Sequence, residues 1–586
     1  MGNKVLHGVQ IAVFIILSVF LMTSAGWAAT YYVDATNGQD KNAGTSDTTA
    51  WNTIAKVNTS IFTPGDQVLF KRGETWRGTM LTIPSSGTSG NPITFSAYGT
   101  GAAPIISGSL LLTAGWTAYS ENVWEAAVTT QPNIVYFNGT RGTPMTSIAA
   151  ISAPYEWYWT ANTLYVWSPS GTPNSYYTSP GVEAGSLGRV LQTNNKSYIT
   201  FSNLTFQDGN NVFDNEINVG SASVTGIVFS YCTIQRGASA GINLKGSTTA
   251  HDVTIDHCII QNNGAYGVLV DDQYTTATIS NSTFSGNGWR SLTDALPYAD
   301  ITSILGNFNI FGNTFTNVAP DGCLTPGDAL NHCHAIYSAP GTAAMNVYNN
   351  TIHGNTDGDG IKTDSSANIY NNLIYGNSGS GIEITSNGTN NIAVVATYNI
   401  INGNGTNNNQ GGCVEESTKG AGTLNITLEN NTCYHNTTTL GEIRLQDNIT
   451  SLTAKNNIIC AAADGYTYSF VTQSAATINN NLIYGPAGNP VYYNGASRAW
   501  GTWKGYGFDT AGVNKDPLFT NGSGTYSIPS DFHLQSTSPA IYAGVNVGLI
   551  TDYAGNPVHN PPSIGAYNYG ENTVPAAPQN LIISIQ

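Results

Sequence analysis

One pattern of polar and apolar positions recurs along most of the chain: a polar residue, a small or apolar residue, then an apolar anchor. The anchors are Phe206, Ile234, Ile260, Phe284, Phe315, Ile352, Ile374, Ile401, Cys433, Ile459 and Ile483. Their spacing varies from 22 to 37 residues, so loops of variable length interrupt a constant structural unit, and such repetition decides the architecture. Within a unit, apolar and polar residues alternate over short stretches, as in Val253-Thr254-Ile255, Asn368-Ile369-Tyr370 and Gly381-Ile382-Glu383-Ile384. A period of two is the period of a strand. Three short strands separated by Asn-Gly, Gly-Asn and Asn-Asn turns predict a coil of about 24 residues, and stacked coils about 4.8 Å apart predict a parallel β-solenoid. Eleven such coils give a rod core on the order of 50 Å long.

The position two before the anchor reads Leu204, Cys232, Cys258 and Ser282, then Asn313, Asn350, Asn372, Asn399, Asn431, Asn457 and Asn481. Successive asparagines at one position predict an amide ladder up the stack, from a residue that also tolerates the left-handed backbone of a tight turn. Cys232 and Cys258 are one coil apart here, either stacked as small side chains or joined by a disulfide. Cys323 and Cys333 bracket the loop DGCLTPGDALNHCH and are the expected bridge.

Composition narrows the class. Charged residues are 9% of the 586, and the net charge is −16, which offers no broad basic surface for nucleic acid. Hydrophobic residues at 40% and aromatic ones at 10% can bury a core, which argues against a disordered chain. Lys4 and His7 precede an apolar run from Ile11 to Met22 and then Ser24-Ala25-Gly26-Trp27-Ala28-Ala29. This reads as a secretory signal peptide, its apolar run being too short to span a membrane. The expectation is a secreted protein with no membrane span in the mature chain.

The repeats resemble the right-handed parallel β-helix proteins of the pectate-lyase-like superfamily. The opening YYVDATNGQDKNAGTSDTTAWNTIAKVN, followed by PGDQVLFKRGETWRG and SGTSGNPITFSAYG, resembles the entry region of secreted bacterial members. DPLFTNGSGTYSIPSDFHLQSTSPAIYAG, ending IGAYNYG, resembles their closure. The expected fold is therefore all-β, a right-handed parallel β-helix with an N-terminal cap and a small Trp-rich β insert. The boundaries read 1–29 for the signal peptide, 30–109 for the cap and first coils, and 110–186 for the insert. Repeats occupy 187–490, closure 491–570, and a linker-like tail 571–586. The insert carries Trp116, Trp124, Trp157, Trp159 and Trp167, which either stack on sugar faces or form its own core.

Chemistry is expected on the outward column of the strand that follows each anchor. With Ile or Val inward, that column reads Asn243, Leu269, Tyr337, Lys362, Glu383 and Arg444. The densest cluster is NTDGDGIKTD, with Asp357, Asp359, Lys362 and Asp364, and the stack should bring Asp271, Asp272, Asp328, His332 and His334 near. Clustered oxygens suit Ca²⁺, although Ser366 stands where a calcium loop would place its closing Glu, and a tight turn alone also favours Asp, Asn and Gly. Resemblance to β-helix lyases implies Lys362 as base and Asp357 and Asp359 on Ca²⁺, while Glu383, Arg444 and Tyr337 of the outward column are the expected substrate-binding groups. A lyase must neutralise a uronate carboxylate and remove the adjacent proton. The sequence thus points to a polysaccharide as partner and, if to an enzyme, to a polysaccharide lyase acting on uronic-acid polymers. A non-catalytic surface or adhesion protein is the alternative. A glycoside hydrolase ranks third, since Asn355-Thr356-Asp357 matches only one motif of the polygalacturonase-like enzymes. Oligomeric state is left open.

Overall fold

A computed structural model describes residues 28–570 apart from 212–216, 220–223, 245–250, 291–297, 319–332, 342–343, 357, 387, 407–410, 437–440, 463–464, 486–487 and 522–527. For 251, 271–275, 298, 303–305 and 344 it describes the backbone alone. The leader and the tail thus lie outside the described residues, as do Asp357, Asp328, His332 and Cys323 and the side chains of Asp271 and Asp272.

The described chain winds through three stacks of parallel strands. A representative coil runs Ile361–Thr363, Ala367–Tyr370, then Leu373–Tyr375, before the next begins at Ile382. The anchor strands form a 14-stranded sheet, and the other two stacks merge into a 26-stranded sheet. They merge because Val268–Ser280 and Tyr298–Phe311 run on from one stack into the next. Register is strict where an apolar face is buried, since a slip of one residue would turn that face outward. Phe206, Ile234, Ile260, Phe284, Phe315 and Ile352 follow one another in register and are fully buried. Stacked rings extend the core, with Phe95, Phe201 and Phe229 at 5.6 and 5.0 Å between centroids.

The coil stack begins before the insert. Ile93–Tyr98 pairs with Ile199–Ser202, and Ile105–Ser107 with Thr205–Gln207, so the insert leaves the rod and the rod resumes on the same ladder. Within the insert, Trp157 is buried, and Trp116, Trp124 and Trp159 pack against the same apolar cluster. At the other end, Phe519, Phe532, Leu534, Ile564 and Tyr567 cover the outward faces of Leu373, Ile400, Ile458 and Leu482.

The asparagine ladder is continuous. The backbone N–H and Nδ2 of Asn350 both donate to Asn372 Oδ1 at 3.0 Å, and the pattern repeats to Asn481, which donates to Asp509. One correction concerns backbone conformation. The left-handed residue is the one before each ladder amide, such as Asn349, Asn371, Asn430, Asn456 and Asn480, with φ between 54° and 58°. Cys232 and Cys258 sit at the ladder position as buried free thiols. Cys333 is disulfide-bonded; its expected partner, Cys323, is not among the described residues. A disulfide joins Cys413 to Cys433 across the inside of a coil, with 5.5 Å between Cα atoms.

Candidate functional site

A second amide ladder underlies the site. Three residues after the anchor, Asn355 begins a series with Asn377, Asn404 and Asn436: the Asn355 backbone N–H donates to Asn377 Oδ1, and the Asn377 and Asn404 Nδ2 groups each donate to the next Oδ1. Asn436 then donates from its backbone and its Nδ2 to Glu442, both at 2.8 Å. A shorter run passes from Asn263 to Asn287 and ends on Asp300 at 2.7 Å. The residue before each outward strand borders the series. At Gly360 and Gly381 an added Cβ would lie 3.3 Å from the ladder amide and closer still to a core isoleucine, so only glycine leaves room. Asp300 and Glu442 fill that position where the series stops. The ladder also fixes the turn beneath the column, because Asn355 Nδ2 donates to the Asp359 carbonyl at 2.9 Å.

The outward column is one register line: Thr302, Tyr337, Lys362, Glu383, Glu415, Arg444, Ser469. The structure therefore brings together Tyr337, Lys362, Glu383 and Arg444. It adds Thr302 and Glu415, whose strands follow Asp300 and Cys413. The column is zipped by charge. Lys362 Nζ lies 3.0 Å from Glu383, and Arg444 lies 2.5 Å from Glu415. Side-chain exposures are 19% for Lys362, 15% for Glu383, 22% for Arg444 and 5% for Glu415, so Glu383 is the carboxyl of the pair that solvent reaches more readily. Ser417 Oγ donates to Glu383, and Ser380 Oγ and Gln446 Nε2 donate to Glu415. Tyr337 is buried and donates to Asp364 at 3.3 Å.

Asp359 sits behind the column. It accepts from the Ser380 amide at 2.6 Å and lies 3.1 Å from His334 Nδ1. The Asp359 and Glu383 carboxyls are close enough to influence each other's charge. Burial, then the Asp359 carboxyl, pushes Glu383 above the ordinary glutamate value, against the pull of Lys362. Burial likewise raises Asp359. Burial alone would depress Lys362, but Glu383 and Asp359 outweigh it and hold the ammonium above the usual lysine value. Burial pushes Glu416, beside the column, up to about 7. Asp359 is thus engaged by His334 and Ser380, and among the described residues no three His, Cys, Asp or Glu side chains gather to hold a metal ion; Asp357, the other expected Ca²⁺ ligand, lies outside the described residues.

A family model described as right handed beta helix region matches residues 184–315. The chain is 44% identical over 80 residues to a lacto-N-biosidase of Bifidobacterium longum subsp. longum, a stretch that is 13% of this chain and 5% of that protein. The match thus spans a small fraction of the length of that curated relative. The structure of XylC in complex with xylose superposes with a TM-score of 0.56 at 12% identity, over 92% of this chain and 98% of that one. Pectate lyase Pel9A superposes with a TM-score of 0.36 at 14% identity, over 92% and 96%. No helix among the described residues is long and apolar enough to cross a membrane. The three stacks of parallel strands, their in-register core and the family model matching residues 184–315 together show that the chain has the fold of a right-handed parallel β-helix.

Proposed function

We propose that the chain binds a neutral glycan along the Tyr337–Arg444 column and hydrolyses it, with Glu383 as general acid and Glu415 as the partner carboxylate. The observation that carries this is the pairing of two glutamates at one register position on adjacent coils, in opposite environments. Burial and the neighbouring Asp359 carboxyl push Glu383 up, whereas Glu415 is ion-paired with Arg444. Environments that separate two carboxyls assign the acid and the base. Adjacent coils are about 4.8 Å apart, near the roughly 5–5.5 Å between carboxyls of retaining glycosidases. Glu383 gives its proton to the glycosidic oxygen as Glu415 bonds to the anomeric carbon and the alcohol departs. Glu383 then takes a proton from water, which displaces Glu415 and regenerates both groups.

Neutral sugar follows from the charge count. Lys362 and Arg444 are each paired with a glutamate, and a chain of net charge −16 repels a polyanion. The 80-residue likeness to a lacto-N-biosidase supports a carbohydrate substrate. The Cys413–Cys433 disulfide supports the secreted location expected from the leader, since such bonds persist in oxidising compartments.

The lyase reading retains one favouring observation: Lys362 lies between Tyr337 and Glu383 on the same face. The two are separated by incubating the purified chain with neutral polysaccharides and with pectate and alginate, with calcium and then with chelator. New reducing ends from a neutral glycan, without absorbance at 235 nm, are expected. Absorbance at 235 nm from a uronic-acid polymer, lost in Lys362→Ala, would establish the lyase instead. No product from any polymer would leave an adhesion protein.

A further inference from the structure

The tryptophans of the insert divide between two faces, and one face is built like a sugar platform. Residues paired across a sheet share a face. Trp157 pairs with Val166, and Trp159 with Leu164, on the side that packs inward. Trp167 pairs with Val123, and Tyr165 with Glu125 and Tyr158, on the opposite side. There Trp167 is half-buried and Tyr119 is 53% exposed, its ring edge-on to Tyr165 at 5.1 Å. Trp167 and Tyr119, with Val123, Ile148, Glu121 and Asn122, line a cavity of about 320 Å³, within the range of about 300–1,000 Å³ for small-molecule sites. The hairpin wall is fixed by backbone bonds from Tyr119 to Val123 and from Ser168 to Asn122.

We infer that this cavity is a second carbohydrate-binding site, for a pyranose ring of a neutral glycan. The chemistry is complementary at each wall: the aromatic faces meet the apolar C–H face of a sugar ring, while the Glu121 carboxylate and Asn122 amide take its hydroxyls. An acidic sugar is disfavoured, because the charged side chain lining the cavity is Glu121. Placement gives the site a use. The insert docks through Ile134 and Tyr136 against Ala238, and the Arg141 guanidinium lies 4.0 Å from the Trp289 ring. Ala238 lies in the loop before Ile242–Leu244, and Trp289 precedes Tyr298–Phe311, strands of the same stack that carries the column. The insert that bears the cavity is thus anchored beside the early coils of that stack. The choice of a neutral glycan rests in part on the function proposed above; the binding site itself does not.

The test is affinity electrophoresis of the full chain through gels containing xylan, mannan or galactan, with polygalacturonate as the acidic comparison. Retardation is expected in at least one neutral gel, weakened tenfold or more in Trp167→Ala and Tyr119→Ala and retained in Glu383→Gln. Tyr119 is largely exposed, so its replacement leaves the fold intact. Full retardation of Tyr119→Ala, or retardation abolished by Glu383→Gln alone, would assign binding to the column and overturn the insert site, as would the absence of retardation in every neutral gel. Retardation that needs Tyr119, without turnover of any glycan, sustains the insert site while overturning the hydrolase reading.

Discussion

In the paired Asn-Asn turns the two asparagines have different work. The first adopts the left-handed backbone, as Asn371 does at φ 54°; the second, Asn372, donates twice to Asn399 and once to the Val347 carbonyl. Buried amides this well satisfied stabilise a unique register, whereas one missing acceptor leaves donors stranded at a cost of about 1–3 kcal/mol. Each series needs a last acceptor, and Glu442 supplies it while fully buried. Burial pushes its carboxyl from 4.5 up to about 8. A raised acid contributes stability that is complete below its unfolded value and is lost as pH rises through the folded one. The melting temperature is therefore expected to fall between about pH 4.5 and pH 8, with a slope from this group of at most about 1.4 kcal/mol per pH unit. Thermal melts of Glu442→Gln across that range should show a flatter curve; an unchanged slope would mean that other groups set it. The first ladder was legible because asparagine recurs two residues before the anchor. The second stands three residues after the same anchor, at Asn355, Asn377, Asn404 and Asn436, and was open to the same alignment. It escapes notice because Asn is also an ordinary turn residue.

At the scale of elements, the insert is tied to the rod by buried charge. Arg236, on the turn after Thr233–Gln235, bonds to Asp208 and Glu183 at 2.7 Å each, and Arg77 reaches Glu183 at 2.8 Å. Glu183 belongs to the insert strand Val182–Gly185, so one guanidinium joins insert and rod. Removing one member of a buried pair strands the other, typically at about 3–5 kcal/mol. Arg236→Ala should accordingly lower the unfolding midpoint and open the insert to limited proteolysis before the rod is cut. Simultaneous loss of both, or no change, would contradict this role. The strand periodicity that found the column missed two rungs, those of Thr302 and Glu415. Most outward strands follow Gly or Ala, but Cys413 precedes Val414-Glu415, Asp300 precedes Ile301-Thr302 and Glu442 precedes Ile443-Arg444. Those side chains replace glycine because Cys413 forms a disulfide and Asp300 and Glu442 each end a ladder. Glu415, the carboxylate that completes the proposed pair, stands on one of the two missed rungs.

At the scale of the molecule, the parallel stack places rare charges in line. Charged residues are 9% of the chain, yet Lys362, Glu383, Glu415 and Arg444 occupy successive coils of one column. That arrangement follows from in-register stacking, which the repeat spacing announced. What the repeat could not announce is that the cations are neutralised by their neighbours, because Lys362 and Glu383 are 21 residues apart and meet only when the coils stack. The most direct measurement is turnover of the neutral glycan that the parent chain cleaves, in Glu383→Gln and Glu415→Gln, with Lys362→Ala alongside. Each glutamine variant is expected to lose at least a hundredfold in kcat with the fold intact by circular dichroism, because general acid catalysis alone contributes about 10²–10⁴-fold. Parent-like kcat in Glu383→Gln would contradict the account, since Glu383 is the column carboxyl that solvent reaches more readily.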